Sequence, residues 1–320
     1  MVHRTTIFIP GTACGLVSCK TNNNMAMKRK IQKILIEDWF STLIGEMEAE
    51  HHYATAKNYK GTLSSFENFL QGKQFYVSSL TPQVLRNYNR FLTRRSVCRN
   101  TISFYNRILR SAYNKAVKAG YARVKQGLFD DVFTGTEKTR KRALNVRVIK
   151  RIVNLDLHKD QEMEFVRDLF VFSFYARGMC FVDLAFLRMD ALRGNVITYV
   201  RSKTSRKMSV LVEPCMERII RKWHPFAAED YVFPVIVSRN PQGAYKDYQY
   251  KLSRHNLILK EIGFRAGLSI PLNSYAARHS WASVARDSGT ALSVISEGMG
   301  HTSERTTRIY LDELNHSAVD

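Results

Sequence analysis

The sequence contains few cysteines, and their spacing does not suit a bridged or metal-bound framework. Only five occur in 320 residues. Their number is odd and no two form a Cys-x-x-Cys pair, which argues against both a set of disulfides and a zinc site. Free thiols are typical of reducing compartments. We therefore expect a cytoplasmic protein.

Long apolar runs are also absent. No stretch approaches the roughly 18 consecutive apolar residues that a membrane-spanning helix needs. Near the start, the apolar patch is short, residues 7–10, and it lacks the core and the cleavage site of a signal peptide. Residues 1–30 are predicted to form a loose extension, in which Met25 and Met27 are alternative starts to Met1. No membrane partner is expected.

Two common phosphate-handling motifs are missing as well. The sequence has no glycine-rich loop ending in lysine after a strand, which is the signature of a nucleotide phosphate site. It also lacks the clustered aspartates and glutamates of a two-metal site. We therefore expect chemistry without a metal ion or another cofactor.

Acidic residues are the minority charge. Lys and Arg number 49 against 28 Asp and Glu, which gives a net charge of +21, and the basic residues are scattered along the chain. Because a spread cationic surface releases counterions from phosphates, a nucleic acid is the favoured partner. A basic protein without a polyanionic partner is the alternative.

Helical periodicity dominates the first part of the chain, and a length of 320 residues indicates two domains. Apolar residues at three- and four-residue spacings predict a four-helix bundle over residues 31–124. Thr81 is predicted to cap the third helix, with Pro82 in its first turn. The apolar faces contain Ile34, Trp39, Phe40 and Leu43; Tyr59, Leu63, Phe66 and Leu70; Leu85, Tyr88 and Leu92; and Ile102, Leu109, Ala112 and Tyr113.

The fourth of these helices carries a basic face opposite its apolar stripe. Arginine and lysine on a helix can bind phosphates while the helix lies in or across a DNA groove. A solvated face of a surface helix is the alternative, but the overall charge favours DNA contact. The candidate DNA-binding residues are Arg99, Arg107, Arg110, Lys115 and Lys118.

Residues 125–142 lack an amphipathic period and end in a basic run. We predict an interdomain linker here, which could lie along a DNA backbone so that two domains close around a duplex. A plain surface loop is equally consistent with this composition. The second domain is then predicted to span residues 143–320.

The second domain is predicted to be mainly α-helical with a small antiparallel β-sheet. Closely spaced apolar residues over 162–187 indicate a helix buried on most sides, and Arg177 and Gly178 are polar or small exceptions among them. Since burying an unpaired guanidinium is costly, Arg177 either pairs with a carboxylate such as Asp183 or awaits a ligand phosphate. A two-residue period after Gly194 predicts a β-hairpin with Lys203 near its tip.

The segment from Tyr275 to Tyr310 groups side chains that suit a phosphate and a nucleophile. Tyr275, Arg278 and His279 share one helical face by the i, i+3 and i+4 rule. Short helical segments separated by glycines carry His301 and, nine positions later, Tyr310. A lone histidine or tyrosine is most often structural, but this ordered set is harder to explain that way.

These motifs resemble those of the tyrosine recombinases of the phage-integrase family. The family pattern has His-x-x-Arg, then Leu-Gly-His, then a tyrosine nine residues later. It is matched here by Tyr275-Ala-Ala-Arg278, Met299-Gly300-His301 and Tyr310. The family's Gly-x-x-x-x-acid-Leu segment is matched by residues 178–184, and its hairpin lysine by Lys203. The resemblance covers about residues 31–318.

The resemblance implies a two-domain DNA clamp. A helical SAM-like core-binding domain over residues 31–124 would precede a tyrosine-recombinase catalytic domain over residues 143–320. The implied partner is double-stranded DNA with specific recombination sites, on which a homotetramer would exchange strands through a Holliday junction. Accessory DNA-bending proteins are further implied partners, and the chain would be associated with the nucleoid.

The resemblance also implies roles for the site residues. Arg278 and His301 would bind the scissile phosphate, since a planar guanidinium suits the charge that develops on non-bridging oxygens. Tyr310 would attack and form a 3′-phosphotyrosyl bond. Its phenol, with an ordinary pKa of about 10, needs a cationic surrounding and a proton acceptor near neutral pH. Lys203 would protonate the departing 5′ oxygen.

Cys180 departs from the family pattern, because the first catalytic arginine usually stands there. Arg177, one helical turn earlier, is the predicted replacement, and Arg177→Ala is expected to abolish cleavage while DNA binding is retained. Arg201 and Arg206 on the hairpin are the alternative candidates for this role. Arg206 is also a candidate DNA contact.

Tyr275 is the second departure, because a histidine is usual at this position. A neutral phenol still donates a hydrogen bond to a phosphate oxygen but is a poor general base. His279, one turn later, is the predicted supporting residue. The YxARHSW form resembles a subgroup with the same substitution, so we expect an active enzyme with Tyr310 as its nucleophile.

Three classes of function remain open. A site-specific recombinase, either an invertase or an integrase, would cut defined sites as a tetramer. A type IB topoisomerase would relax supercoils alone without site choice, and an inactive regulator would bind DNA without forming an adduct. A tail after Tyr310 that docks on a neighbouring subunit would favour the first class; a frayed terminus is the alternative. Thirty residues before the bundle are few for an arm-binding domain, which favours a simple inverting or resolving recombinase.

Overall fold

The computed structural model describes residues 32–137 and 143–315, except for the side chains of 313–315. The predicted extension over residues 1–30 and the end of the predicted linker lie outside these ranges. Within them the chain is mainly α-helical with one small antiparallel sheet, as the sequence predicted. No helix in the described ranges is both long enough and apolar enough to cross a bilayer.

Four helices form the N-terminal domain, in agreement with the predicted bundle. Thr81 caps the third of them by accepting a hydrogen bond from the amide of Val84 at 3.2 Å, and Pro82 opens its first turn. Phe66 and Tyr88 are fully buried, and their rings meet edge-on at 5.0 Å. The helices are α1 (Ile36–Ala49), α2 (Tyr53–Leu70), α3 (Pro82–Arg94) and α4 (Arg99–Lys118).

Residues 125–137 pack against this bundle, although the sequence predicted a linker there. Leu128 and Phe129 are buried in the N-terminal core. The side-chain amide of Asn106 donates to the carbonyl of Phe133 at 3.0 Å. These residues lie in irregular turns. Turns have neither the helical nor the strand period by which a sequence pattern reveals buried residues. Most of the predicted linker therefore packs as part of the N-terminal domain.

The C-terminal domain combines the sheet with the remaining helices of the described chain. Asn273 caps α10, since its side-chain oxygen accepts a hydrogen bond from the amide of Ala276 at 3.1 Å. Helix α10 packs against α6, with α11 and α12 beside it. The helices are α5 (Val146–Val153), α6 (Gln161–Tyr175), α7 (Phe181–Ala185), α8 (Pro214–Trp223), α9 (Pro241–Arg265), α10 (Ser274–Asp287), α11 (Leu292–Gly298) and α12 (Glu304–Asn315).

The buried helix that the sequence predicted over residues 162–187 is not continuous. Helix α6 ends at Tyr175, and Arg177 and Gly178 both adopt left-handed backbone conformations, with φ of 55° and 71°. The chain therefore turns before α7. The cause is tertiary, because the turn brings Gly178 against the backbone of Arg278.

The predicted hairpin is present as β2 (Val196–Val200) and β3 (Lys207–Leu211). Ile197 pairs with Val210, and both are buried. Residues 201–206 connect the two strands and carry Lys203, as predicted. A short strand, β1 (Leu192–Arg193), pairs with β2 and was not indicated by the sequence pattern.

Candidate active site

One cleft of about 590 Å³ in the C-terminal domain brings together residues from several separate parts of the chain. The hairpin connection, α10, and the segment from α11 to α12 each contribute. The charged, imidazole and phenol side chains of its lining are Arg201 and Lys203; Tyr275, Arg278 and His279; and His301 and Tyr310. Of the predicted catalytic and supporting residues, all within the described ranges, only Arg177 does not line this cleft.

Arg278 is 4% exposed, and the backbone of two other segments holds its guanidinium. Nη1 donates to the carbonyl of Gly178 at 3.1 Å, and Nη2 donates to the carbonyl of Met299 at 2.5 Å. Arg278 forms no ion pair with a carboxylate in the described part of the chain. A buried guanidinium held only by neutral groups keeps an uncompensated charge, which favours a bound anion.

Gly178 allows the close approach of Arg278. A β-carbon at Gly178 would lie 2.6 Å from Cα of Arg278, and the φ of 71° disfavours any side chain. We expect Gly178→Ala to lower the free energy of unfolding by roughly 2–5 kcal/mol, because the backbone strain and the overpacking add. Urea denaturation of the full chain measures this change.

Gly194→Ala is the matched control for that substitution. Gly194 has a similar φ of 59°, but a β-carbon there meets no atom within 4 Å. The control should therefore cost only the backbone strain, about 1–2 kcal/mol. Equal destabilisation by the two substitutions would contradict a role for the close approach between Gly178 and Arg278.

The His301 ring is positioned through both nitrogens. Nδ1 lies 2.8 Å from Oγ1 of Thr307, and Nε2 lies 3.3 Å from Nη2 of Arg278. Because an arginine can only donate, Nε2 is the acceptor in the second contact and the ring proton is assigned to Nδ1. Nε2 of the imidazole is therefore directed towards the Arg278 guanidinium.

The hydroxyl of Tyr310 lies in the same cleft and is hydrogen-bonded to Nδ1 of His279. The Tyr310 and His279 rings are stacked with centroids 5.2 Å apart, and the His301 ring meets Tyr310 edge-on at 5.7 Å. Burial raises the pKa of Tyr310 above its ordinary value, and the positive charge of Arg278 opposes that rise. Deprotonation therefore needs an acceptor, and His279 is in place to act as one.

Lys203 and Tyr275 line the cleft from exposed positions. Lys203 is solvent-exposed in the hairpin connection. Tyr275 is 44% exposed, and its ring lies 5.5 Å from that of His279. The three predicted side chains of α10 thus share one face, as the helical period indicated. Both exposed residues can contact a ligand that approaches from solvent.

Arg177 lies half-buried outside the cleft, beside Gly298. It forms no ion pair with Asp183, whose carboxylate instead accepts the amide of Ser202 at 2.8 Å. Arg201, which was only an alternative to Arg177 in the sequence analysis, lines the cleft and is 3% exposed. The sequence offered one indication of this position, because Arg201 is only two residues from Lys203, which was predicted to reach the substrate.

The predicted DNA-binding residues fall into three groups. Arg99 and Arg110 contact the segment that follows α4: Arg99 pairs with Glu137 at 3.0 Å, and Arg110 lies over the ring of Phe129 at 5.2 Å. Arg206 is exposed and donates to the carbonyl of His301. The residues of α4 that are exposed without such contacts to that segment are Arg107, Lys115 and Lys118.

Known proteins match both domains. Residues 35–127 match the phage integrase SAM-like domain, and residues 143–316 match the phage integrase family. The tyrosine recombinase XerD of Rickettsia bellii (strain RML369-C) is 25% identical over 278 residues, which cover 81% of this chain and 88% of that protein. The sequence similarity therefore extends through both domains.

Solved structures share the fold at low sequence identity. A lambda integrase (75–356) dimer bound to a COC′ core site matches with a TM-score of 0.62 and 11% identity, over 88% of this chain and 96% of that chain. The Tn1549 transposon integrase in complex with transposon right end DNA matches with a TM-score of 0.60 and 11% identity, over 88% and 98%. Since the integrase family match alone spans more than half of the sequence, the chain belongs to the phage integrase family.

Proposed function

We propose that this chain is a site-specific DNA recombinase that cleaves and rejoins DNA through a 3′-phosphotyrosyl intermediate at Tyr310. One observation carries the proposal: the Tyr310 hydroxyl lies in the same cleft as the buried guanidinium of Arg278 and the imidazole of His301. Membership of the phage integrase family supports recombinase chemistry. The net charge of +21 supports a polyanionic substrate.

The scissile phosphate would bind between Arg278 and His301. Of the five guanidinium N–H donors, two are used by the carbonyls of Gly178 and Met299, which leaves donors for the non-bridging oxygens. An arriving phosphate would compete with Nε2 of His301 for the Arg278 guanidinium. His301, once protonated, would then donate to another phosphate oxygen and stabilise the charge that develops there.

The covalent step exchanges one phosphate ester for another. The Tyr310 oxygen forms a bond to phosphorus while the bond between phosphorus and the 5′ oxygen breaks. The phenolic proton passes to Nδ1 of His279, the hydrogen-bond partner of that hydroxyl, and Lys203 gives a proton to the 5′ oxygen. Rejoining by a 5′ hydroxyl reverses these steps, so the ester bond is conserved without a nucleotide cofactor.

Lys203→Ala is expected to slow cleavage of an ordinary duplex by roughly 10²–10⁴-fold, the usual contribution of general acid catalysis. A 5′-thio substitution at the scissile bond provides a leaving group with a pKa of about 8.5, which needs no proton donor. The same variant should therefore cleave the thio-substituted duplex within about tenfold of the parent rate. Single-turnover adduct formation measures both rates.

Lys207→Ala is the matched control, since Lys207 is an exposed lysine of the same hairpin that does not line the cleft. It should cleave both duplexes at nearly the parent rate. If Lys203→Ala loses the same factor on both duplexes, a proton-donating role for Lys203 is excluded and a binding role is indicated.

The N-terminal domain would bind the duplex through the exposed Arg107, Lys115 and Lys118, whose charges attract phosphates. The matched lambda integrase structures are described as a dimer bound to a core site and as a tetramer bound to a Holliday junction. These descriptions support a homotetramer that exchanges strands on DNA. Arg206, at the hairpin, would contact the backbone near the cleaved bond.

The proposed function can be tested while the target sequence is still unidentified. The full chain is incubated with a library of duplexes, covalent adducts are trapped in detergent, and the trapped and the rejoined DNA are both sequenced. Recurrent cut positions with exchanged flanks support a site-specific recombinase, and the arrangement of the products distinguishes inversion from integration. Adducts without sequence preference, with relaxation of supercoiled plasmid, indicate a type IB topoisomerase. DNA binding without any adduct would contradict an enzymatic function.

A further inference from the structure

We propose that Arg201 is the second arginine that binds the scissile phosphate, in the role that the sequence assigned to Arg177. The inference rests on the proposed DNA-cleaving function and deepens it by naming a further phosphate-binding group of the same site. Arg201 and Arg278 are the two arginines that line the cleft in the described part of the chain. Arg177 is not among the lining residues.

The burial of Arg201 and an unsatisfied donor on its guanidinium both indicate that this side chain binds a ligand. Its side chain is 3% exposed, and its Nε is buried without a hydrogen-bond partner. Among the side chains described for residues 32–137 and 143–312, no carboxylate forms an ion pair with it. A buried charge with an unsatisfied donor is costly, and a bound anion would compensate it. Two such guanidiniums in one cleft suit the two non-bridging oxygens of a phosphodiester.

Three consecutive carbonyls, at residues 299–301, each accept a hydrogen bond from a different arginine. The first accepts from Arg278 at 2.5 Å, the second from Nη1 of Arg201 at 3.0 Å, and the third from Arg206. The same segment also carries the His301 imidazole. One stretch of backbone therefore sets the positions of both cleft arginines and of the histidine relative to each other.

Gly300 provides the space through which the Arg201 side chain passes. Its φ is 63°, and a β-carbon there would lie 2.7 Å from Sδ of Met208 and 3.0 Å from Cδ of Arg201. A side chain at Gly300 would therefore force Met208 to move and would press on the Arg201 side chain. Packing against the Arg201 side chain is therefore one reason why a glycine precedes His301.

The turn that bears Arg201 is anchored from its other side. The amide of Arg201 donates to the carbonyl of Arg206 at 2.8 Å. The buried carboxylate of Asp183 accepts the amide of Ser202 at 2.8 Å. The Gly-x-x-x-x-acid-Leu segment therefore orients the turn that carries Arg201, while its own position for an arginine is taken by the uncharged Cys180. The cleft therefore contains two guanidiniums, one from the hairpin connection and one from α10.

The test compares two linkages at the scissile position of a duplex recovered by trapping. One is the ordinary phosphodiester, and the other is a methylphosphonate, which lacks one negative oxygen and so needs one guanidinium less. We expect Arg201→Gln to slow adduct formation by the full chain about 100-fold or more on the phosphodiester. On the methylphosphonate it should stay within about tenfold of the parent chain. Arg201→Lys should give an intermediate loss on the phosphodiester, because the charge remains without the planar fork.

Arg221→Gln is the matched control, since Arg221 is an exposed arginine of α8 outside the cleft. It should cleave both linkages at the parent rate. The inference is overturned if Arg201→Gln cleaves the phosphodiester at nearly the parent rate or loses the same factor on both linkages. It is also overturned if the loss that depends on the linkage occurs in Arg177→Ala and not in Arg201→Gln.

A second measurement separates failure of this inference from failure of the proposed function. Calorimetric titration of the DNA-free full chain with inorganic phosphate requires no cleavage. Arg201→Gln should weaken phosphate binding about tenfold or more, and Arg221→Gln should not. Equal affinities of the parent chain and Arg201→Gln would overturn the inference even if the parent chain cleaves DNA. Melting temperatures identify a variant that does not fold, and Arg201→Lys then replaces Arg201→Gln in both measurements.

Discussion

Tyr310→Phe is expected to abolish the covalent protein–DNA adduct, with a loss of at least about 10⁴-fold, while DNA binding is retained. The substitution removes only the attacking oxygen, and the ring can keep its contacts with His279 and His301, at centroid distances of 5.2 Å and 5.7 Å. The packing of α12 should therefore persist. Denaturing electrophoresis of the trapped mixture measures the adduct, and a mobility shift measures binding.

Tyr275→Phe is the control, because it makes the same change in the same cleft. Tyr275 is 44% exposed and would donate a hydrogen bond to a phosphate oxygen without becoming bonded to it. We therefore expect this variant to form the adduct at a reduced rate. An adduct formed by Tyr310→Phe and lost in Tyr275→Phe would reverse the assignment of the nucleophile.

Arg278→Lys is expected to slow cleavage by roughly 10²–10³-fold, although it preserves the charge. The guanidinium of Arg278 spans the carbonyls of Gly178 and Met299, at 3.1 Å and 2.5 Å, and keeps further donors for the phosphate. A lysine ammonium is a single point with three donors and cannot hold both carbonyls and a phosphate in one plane. Single-turnover adduct formation at saturating protein measures the loss.

Arg265→Lys is the matched control for this exchange, since Arg265 is an exposed arginine at the end of α9 that does not line the cleft. It should cleave at the parent rate. Thermal melting of both variants shows whether a loss of activity follows a loss of structure. Cleavage by folded Arg278→Lys at nearly the parent rate would exclude planar, bidentate binding of the phosphate by Arg278.

The helices of the N-terminal bundle could be predicted from their apolar period and local caps, whereas several helices of the C-terminal domain were not predicted. Helix α3 was predicted with its cap, because Thr81 and Pro82 are local signals. Helix α9, at 25 residues, was not indicated, because its buried residues are sparse and include His255 and Gly263. The packing of residues 125–137 was also missed, since irregular turns bury apolar side chains without a repeating pattern.

Much of the candidate site could also be predicted, because its spacing along the chain is short. Arg278, His301 and Tyr310 follow one another on α10, the segment after α11, and α12, and these elements pack together. The assignment of the second arginine depends on a contact between the hairpin and residues 299–301 instead. Residue spacing within a single helix cannot reveal such a contact. The sequence therefore favoured Arg177, the arginine nearest to Cys180, where the family pattern has its first arginine.

The sequence by itself identified the segment from Tyr275 to Tyr310, the hairpin lysine and the net charge. These features depend only on residue type and on spacing within local elements. They determined the family, the mainly helical fold and the expected chemistry. Only the tertiary structure decided which arginine lies beside Arg278 in the cleft. The reason is physical: a guanidinium on a long side chain is positioned by the carbonyls and the open space that it meets. For Arg201 these are the carbonyl of Gly300 and the space that the same glycine leaves, 99 residues further along the chain.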